Sequence, residues 1–451
     1  MAHEKGQESL EPYEPYELPS VSTTEPPSAA RSADEAIDSP LGPRRYSETK
    51  ELPTVDADIV DWDGPDDPQN PMNWSKGKRF SHVAIVSLLT LVTNLAATML
   101  APGVPLLMQD LNVTNSTIGS FTVSIYLVGF ALGPLCNAPL SELYGRLPIY
   151  HICNLVFLAF MIACAVAPNV GSFLFFRTVA GWFGSAPVTI GGGSIADLIP
   201  QEQRGVAMAL FVLGPLLGPA IGPVIGGFLS EYVGWEWVFW LIAIMSGVLS
   251  IVSFIFMSET YHAVLLRRKA EALRKQTGNM QLRSKHHIDV PASTFFLQNL
   301  VRPMKLLLLS PIVLALSTFA AFVFGLTFLL FTTFPMVFEQ QYGFGPGISG
   351  LAYLGFGIGM VLGVGIIGRS SDAMLKSRAE RKGGGEMKPE YRLPLMIYFA
   401  PAIPIGFFWY GWSAHAQVHW ICPIIGSSLI GIGTVSVIVS DVRLLTALSV
   451  Y

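Results

Sequence analysis

The chain has 451 residues, of which 51% are hydrophobic and only 13% are charged, and its formal net charge is −4. Soluble proteins carry about 25% charged residues, so this chain is too poor in charge to cover its own surface with polar groups. Its basic residues are scattered among short segments, which argues against a nucleic-acid binder. The four cysteines form neither a CxxC nor a Cys/His metal spacing, so no metal and no cofactor is predicted.

The first segment, residues 1–79, is rich in Pro, Glu, Ser and Asp and has no apolar periodicity. Such a segment cannot bury enough surface to offset its ordering entropy, which predicts a disordered cytoplasmic tail. It lacks the charged start and apolar stretch of a signal peptide.

From Ser81 onward the chain is a series of apolar blocks of about the length that spans a bilayer. An all-α polytopic membrane protein is therefore predicted. The ten predicted spans are 82–101, 118–139, 149–167, 172–194, 206–229, 237–257, 312–334, 347–367, 394–412 and 420–440. They divide into a six-span bundle (80–257), a cytoplasmic central loop (258–311), a four-span bundle (312–440) and a short cytoplasmic end (441–451). The basic segment 263–285 is either an interfacial amphipathic helix or a solvated connector.

Charge in the loops predicts the orientation. The first loop and every second loop after it contain no Lys or Arg, whereas the loops between them are basic. Because Lys and Arg accumulate on the cytoplasmic side, both termini and the central loop are predicted to be cytoplasmic. Asn112 and Asn115 lie in two sequons of the first outward loop and are candidate glycosylation sites.

Three groups of residues are candidates for chemistry. Glu142 and Arg146, four apart around Gly145, can pair across the ends of two helices. Arg177 lies within the fourth span, where a charge is costly and indicates function. In the fifth span, glycines recur at every fourth position and line one face, where they permit close helix approach, and three prolines permit bending. This run comprises Gly214, Pro215, Gly218, Pro219, Gly222, Pro223, Gly226 and Gly227.

These motifs resemble those of the major facilitator superfamily. Leu140, Glu142, Gly145 and Arg146 are similar to its cytoplasmic-loop signature, which implies a gate latch. Arg177 and Gly181 resemble its fourth-span motif, which implies a link to proton transfer, and the Gly-Pro run resembles its antiporter motif. Segments at 60–75, 234–240, 259–261 and 389–394 resemble the twelve-span fungal drug:proton antiporters. In that family two further spans follow the tenth, so the second bundle is expected to be an incomplete four-helix bundle.

The resemblance implies proton-coupled efflux of hydrophobic or amphipathic drugs, toxins or fungal secondary metabolites by a monomer in the plasma membrane. Its partners would be the lipid bilayer, protons and a cargo bound near the midplane. The residues expected to line that cavity are Asn94, Tyr126, Phe322, Phe331 and Trp409. The alternatives are a polyamine or nutrient carrier on the same scaffold, and an inactive, truncated transporter. A membrane enzyme is disfavoured, because the HxxxH spacing of His415 and His419 stands alone.

Overall fold

The computed structural model describes residues 58–286, 290–382 and 397–448, with side chains except those of 202, 368, 371–373, 375–382 and 438–448. Helices occupy all ten segments predicted to be spans. In the first half the helices are α1 (Lys76–Thr98), α2 (Val104–Asp110), α3 (Ser116–Tyr144), α4 (Arg146–Ala165), α5 (Val170–Gly184), α6 (Ala186–Leu198), α7 (Arg204–Tyr232) and α8 (Glu236–Phe256). After them come α9 (His262–Thr277), α10 (Ala292–Leu309), α11 (Pro311–Pro335), α12 (Pro346–Lys382), α13 (Ala402–His415) and α14 (Ile421–Leu448).

Side-chain caps begin several of these helices. Ser75 accepts a hydrogen bond from the Lys78 N–H at the start of α1, and Asn115 and Asn169 do the same for α3 and α5. Each cap satisfies one of the free N–H groups at a helix start. Polar residues just before apolar runs thus define where the helices begin.

Seven helical segments of the described chain are long and apolar enough to cross a membrane. The fourth predicted span divides at Ser185 into α5 and α6, where Pro187 removes a backbone donor. In the ninth span only residues from 397 onward are described, and α13 has 14 residues. The last span contains a shorter apolar stretch, Ile421–Val437. The count of ten crossings stays a prediction.

Helix α7 is the centre of the packing, because it contacts α1 on one side and α12 on the other. Helix α12 also packs against α14, which packs in turn against α13. Large apolar side chains such as Leu132, Ile152 and Phe254 lie exposed on the outside of the helices. An apolar surface of this extent is expected in lipid rather than in water.

The predicted disordered tail is too long at its C-terminal end. Residues 1–57 lie outside the described residues, but 58–75 are ordered against the central loop. Strand β1 (Ile59–Val60) pairs in parallel with β2 (Arg283–Ser284). The ammonium of Lys269 on α9 lies 2.7 Å from Asp63 and 3.2 Å from Asp67. Charge pairing with the basic central loop holds this segment in place, together with the β1–β2 pairing and the burial of Val60.

The central loop is mostly helical. The apolar face of α9, formed by Val264, Leu266 and Ala270, is buried, and α9 contacts β1, β2 and α3. The basic segment is therefore neither an interfacial helix nor a fully solvated connector, because its apolar face packs on the protein itself. Helix α10 has no buried residue and contacts α3 and α11.

Candidate functional site

An ionic network lies at one end of the first six spans, called here the central-loop end because α9 begins there. Arg146 Nε donates to Asp197 Oδ2 at 2.8 Å, and Arg146 Nη1 donates to Ser141 Oγ at 3.4 Å. The guanidinium of Arg146 lies 4.9 Å from the ring centre of Tyr261. Arg146 therefore joins the end of α6 to the junction of α3 and α4 and to the entry of the central loop.

Glu259 forms the second part of this network. Its carboxylate accepts from the backbone N–H groups of Arg146 (3.0 Å) and Leu147 (3.2 Å), which begin α4. It also accepts from Thr260 N and Tyr261 N, each at 3.0 Å. An acid at a helix N-terminus satisfies free donors and complements the helix dipole. We call Ser141, Arg146, Asp197, Glu259 and Tyr261 the gate network.

The expected pairing of Glu142 with Arg146 is wrong for this structure. Glu142 Oε2 instead accepts from Asn299 Nδ2 on α10, at 3.2 Å. Arg146 begins a new helix beyond the turn at Gly145, and its side chain is directed toward Asp197. The spacing predicted a pair across the ends of two helices, but Arg146 bonds to Asp197 and keeps only an electrostatic interaction with Glu142. In the sequence Asp197 and Glu259 are recognisable only as acids at helix ends, and neither was predicted as a partner of Arg146.

Gly145 is required at this junction for two reasons. Its φ of 106° lies in a region that favours glycine. A Cβ at this position would also collide with the carboxylate of Glu259. The glycine of the loop motif thus makes room for the acid that caps α4. Leu140, the remaining residue of the motif, packs at the edge of an apolar cluster that includes Val83 and Ile149.

Arg177 is fully buried in the first bundle. Its Nη1 donates to the carbonyl of Ala96 at 2.9 Å, and its Nε lies 3.5 Å from the carbonyl of Thr122. Its guanidinium lies 4.8 Å from the ring centre of Tyr126 and 5.4 Å from that of Phe239. Within the described part of the chain, Nη2 has no hydrogen-bond partner. Carbonyl oxygens and ring faces, and no described carboxylate, surround this charge.

Gly181 lies one turn after Arg177 and lets α5 approach α3. A Cβ there would collide with the carbonyl of Tyr126. The hydroxyl of Tyr126 donates to the Thr93 carbonyl of α1 at 3.0 Å. Arg177 and Tyr126 therefore join α1, α3 and α5 around one buried charge.

The glycines of the fifth-span run lie against α1. Substituents at Gly214, Gly218, Gly222 and Gly226 would meet Leu91, Asn94, Thr98 and Met99 respectively. Gly227 faces the other way, toward Pro346 and Gly347 at the start of α12. Close helix contact through small residues supplies packing where apolar burial provides little driving force. The run thus lets α7 pack closely against helices of both halves.

A cavity of about 490 Å³ lies between the two halves. Its first-half wall comes from α1, α3 and α7, and its second-half wall comes mainly from α11 with contributions from α12 and α14. The polar side chains that line it are Asn94, Thr98, Thr327 and Thr434, and no described lining residue is charged. The aromatic lining residues are Phe130, Phe324, Phe328, Phe331 and Phe356. Pro215 and Pro219 of the Gly-Pro run also line it. A volume of this size suits a drug-sized ligand.

Two of the expected cavity residues, Asn94 and Phe331, line this cavity. Tyr126 does not, because it is fully buried beside Arg177. Phe322 and Trp409 do not either, since these residues are 65% and 46% exposed on the outside of the protein. Helical rotation decides which aromatic residues face inward, and a span that is apolar on all sides does not reveal it.

The remaining candidates lie at the opposite end of the helices, called here the far end. Asn112 and Asn115 are both exposed, and Asn115 Oδ1 accepts from Thr117 N as the cap of α3. The rings of His419 and Trp420 lie 5.1 Å apart between centres and are tilted by 35°. The described residues contain no group of three or more His, Cys, Asp or Glu side chains that could hold a metal ion.

Comparison with known proteins places these features in a family. The sequence profile of the Major Facilitator Superfamily matches residues 86–448. The chain is 54% identical over 385 residues to MFS transporter fsa7 of Fusarium sp., covering 85% of this chain and 75% of that one. It is 48% identical over 418 residues to MFS-type transporter penM of Penicillium rubens, covering 92% and 82% respectively.

Solved structures agree on the fold. The partially occluded, inward-open xylose transporter XylE from E. coli superimposes with a TM-score of 0.60 at 16% identity, covering 83% of this chain and 85% of that one. An inward-facing bacterial homologue of the human lysosomal transporter Spinster gives a TM-score of 0.58 at 14% identity, covering 83% and 76%. At these identities the likeness concerns the fold alone.

Proposed function

Because the chain belongs to the major facilitator superfamily, a family of membrane transporters, we propose that it exports apolar small molecules from the cell in exchange for protons. The observation that carries this proposal is the cavity between the two halves, lined by five phenylalanines and no described charge. A site of this composition holds apolar cargo by excluding it from water. The plasma membrane is the proposed location.

The proposed orientation places the central-loop end in the cytoplasm and the far end outside. The loop charges support it, since Lys and Arg collect on the cytoplasmic side. In this orientation the gate network lies at the cytoplasmic mouth. Asn112 and Asn115 are exposed on the outside, where they are candidate glycosylation sites.

The proposed cycle rocks the two halves about the cavity. At the far end α7 and α12 are in close contact, with Glu231 Oε2 accepting from Gly347 N at 2.7 Å. The gate network holds the cytoplasmic ends of α4 and α6 together as one unit. We propose that opening one end and closing the other moves α7 against α12, because both helices line the cavity.

Proton exchange is proposed from the resemblance of Arg177 and the Gly-Pro run to the corresponding family motifs. Arg177 itself cannot release a proton in a protein, so its role would be to supply a fixed buried charge. The protons would be carried by carboxylates, and Glu339, in the π-helical segment Met336–Gln341 that follows α11 at the far end, is a candidate. Its Oε1 is buried and has no hydrogen-bond partner among the described residues.

A polyamine carrier is opposed by the same cavity. A polycation buried from water requires paired carboxylates, and none of the described lining residues is acidic. The exporter therefore remains the better explanation of the site.

The test is transport by the purified full chain in proteoliposomes loaded with a neutral fluorescent dye. An imposed pH gradient should drive dye movement, and collapse of that gradient should abolish it. Gly325→Trp should block transport, because Gly325 lines the cavity and has open space around it. Gly411→Trp is the matched control, since that helical glycine is also in open space but lies outside the cavity. Gradient-independent dye movement, or full transport by Gly325→Trp, would contradict the proposal.

A further inference from the structure

Each threonine hydroxyl of the cavity wall already donates a hydrogen bond to a backbone carbonyl. Thr98 Oγ1 donates to the carbonyl of Gly218 at 3.2 Å. Thr327 Oγ1 donates to Val323 at 2.9 Å, and Thr434 Oγ1 donates to Ile430 at 2.9 Å. A hydroxyl that donates to a backbone carbonyl keeps only its lone pairs for a ligand. These three side chains therefore face the cavity as hydrogen-bond acceptors.

The remaining polar groups extend this acceptor character. Asn94 Nδ2 donates one hydrogen bond to the Thr90 carbonyl at 2.8 Å, and no described residue donates to its Oδ1. The carbonyls of Pro215 and Pro219 have no helical partner four residues later, because Pro219 and Pro223 lack an N–H. Asn94 retains one N–H, and acceptors outnumber donors around the whole lining.

The absence of charged lining residues and the presence of five phenylalanine rings indicate the charge and shape of a suitable ligand. None of the described lining residues can neutralise a carboxylate or pair with an ammonium. Five phenylalanine faces attract cations, but this gain is smaller than the cost of removing an unpaired charge from water. A neutral aromatic or polycyclic body suits the walls better than either kind of ion.

We propose that the cavity selects uncharged, largely apolar molecules that carry a hydroxyl or N–H donor, and that it discriminates against anions, cations and donor-free analogues. This inference deepens the proposed function and rests on the cavity being the cargo site. The specificity residues are Asn94, Thr327 and Thr434, which contact cargo as acceptors. Thr98 and the two prolines provide the same chemistry from α1 and α7.

The test is equilibrium binding to the full chain in nanodiscs at pH 6, with empty nanodiscs subtracted. The four probes share one ring system: 1-hydroxypyrene, 1-methoxypyrene, 1-pyrenecarboxylate and trimethyl(1-pyrenyl)ammonium. The hydroxyl probe should bind about three- to tenfold more tightly than the methoxy probe, as one hydrogen bond implies. Both ions should bind more weakly than the methoxy probe. Equal binding of the hydroxyl and methoxy probes, or tighter binding of either ion, would overturn the proposal.

Substitutions test whether the preference for the hydroxyl probe arises from the threonines of the cavity. Thr327→Val with Thr434→Val removes two acceptors while conserving shape, and it should reduce the hydroxyl preference to less than about twofold. Thr189→Val is the matched control, because Thr189 also donates to the carbonyl four residues earlier but lies outside the cavity. Gly325→Trp should abolish binding of the hydroxyl probe and Gly411→Trp should not.

Failure of all four probes to bind the native chain would also overturn the proposal. Because binding is measured without transport, an error in the proposed proton exchange would leave this result unchanged.

Discussion

At the scale of single residues, the contacts of Arg146 and Glu259 involve backbone N–H groups as well as side chains. Glu259 accepts four backbone N–H groups, two at the start of α4 and two at the entry of the central loop. Hydrogen bonds to an ionised acceptor are stronger than neutral ones. The gate network therefore holds the start of α4 and the entry of the central loop together, in addition to forming the Arg146–Asp197 ion pair. The residues that bond to Arg146 and Glu259 determine which substitutions should lower stability.

The first prediction compares how much Asp197 and Glu142, the two acids near Arg146, contribute to the free energy of unfolding. Asp197→Asn should lower the free energy of unfolding by about 1–3 kcal/mol, because it removes the charge that Arg146 contacts at 2.8 Å. Glu142→Gln should cost less than about 1 kcal/mol, because it changes only one hydrogen bond to Asn299. Thermal unfolding in detergent, followed by tryptophan fluorescence, measures both. The reverse ranking would restore Glu142 as the partner of Arg146.

The second prediction concerns Arg177. Arg177→Met should leave Tm nearly unchanged, because replacing a buried charge by an apolar side chain of similar length is often neutral. Transport should nevertheless fall by about tenfold or more, as expected for an ionisable residue retained inside a membrane. Arg204→Met should behave in the opposite way, with a lower Tm and intact transport, since Arg204 bonds carbonyls at the end of α6. Intact transport by Arg177→Met would reduce Arg177 to a packing role.

At the scale of elements, residues 58–75 fasten the central loop to the first bundle. Lys269 is the centre of this contact, bonded to the carbonyl of Asp61 and the carboxylates of Asp63 and Asp67. Hydrogen bonds from Asp63 N and Gln69 N, together with Lys269, hold the pKa of Asp67 below its usual 3.8. Burial opposes the charge of Lys269, but its bonds to Asp63 and Asp67 raise its pKa above 10.5.

The third prediction is the pH range over which this segment stays attached. A lowered pKa at Asp67 means that its contribution is present above pH 3.8 and is lost as pH falls below that value. A raised pKa at Lys269 means that its contribution is present below pH 10.5 and is lost above it. Hydrogen–deuterium exchange of residues 58–75 should therefore stay slow between these limits and rise outside them, after correction for the intrinsic pH dependence of exchange.

A substitution tests the same contact at neutral pH. Lys269→Met should raise exchange in residues 58–75, because it removes every bond that α9 makes to Asp63 and Asp67 in the described chain. Lys275→Met, on an exposed position of α9, should leave it unchanged. Equal exchange in the two variants would mean that the β1–β2 pairing and the Lys285–Asp61 ion pair hold the segment without Lys269.

At the scale of the whole molecule, the two halves meet along α7 and α12, and this contact extends to the far end. Gly227 and Gly350 allow this contact, since a Cβ on either would collide with the backbone of the opposite helix. Glu231 adds one charged hydrogen bond across the contact, to Gly347 N. In the proposed cycle this contact has to open, so we expect the balance between open and closed states to depend on a few bonds at the helix ends.

The fourth prediction is that Glu231→Ala opens the far end. Ser349→Cys serves as the reporter, because Ser349 is fully buried near the start of α12. The partly exposed native Cys136 and Cys422 are replaced by Ser. Labelling by a membrane-impermeant maleimide should rise about tenfold in Glu231→Ala, as expected for the loss of one charged hydrogen bond. Glu236→Ala, at the start of α8, should not change it. Unchanged labelling in both variants would mean that helix packing alone closes this end.

The amino-acid sequence by itself determined the class of the protein and the positions of its apolar helical segments. Apolar blocks, capping residues and the alternation of loop charge are local properties, and each acts within one helix length. For the same reason the Gly-Pro run predicted a close helix contact, because a missing side chain permits approach whatever the partner is.

Only the tertiary structure decided which residues meet. The turn at Gly145 sends Arg146 to Asp197 instead of Glu142, and this depends on the position of α6. The rotation of α11 and α13 turns Phe331 into the cavity but places Phe322 and Trp409 outside. The anchoring of residues 58–75 depends on charges more than 200 positions away in the sequence. Partners across such separations are fixed by packing and charge in three dimensions, and neither is contained in a local pattern.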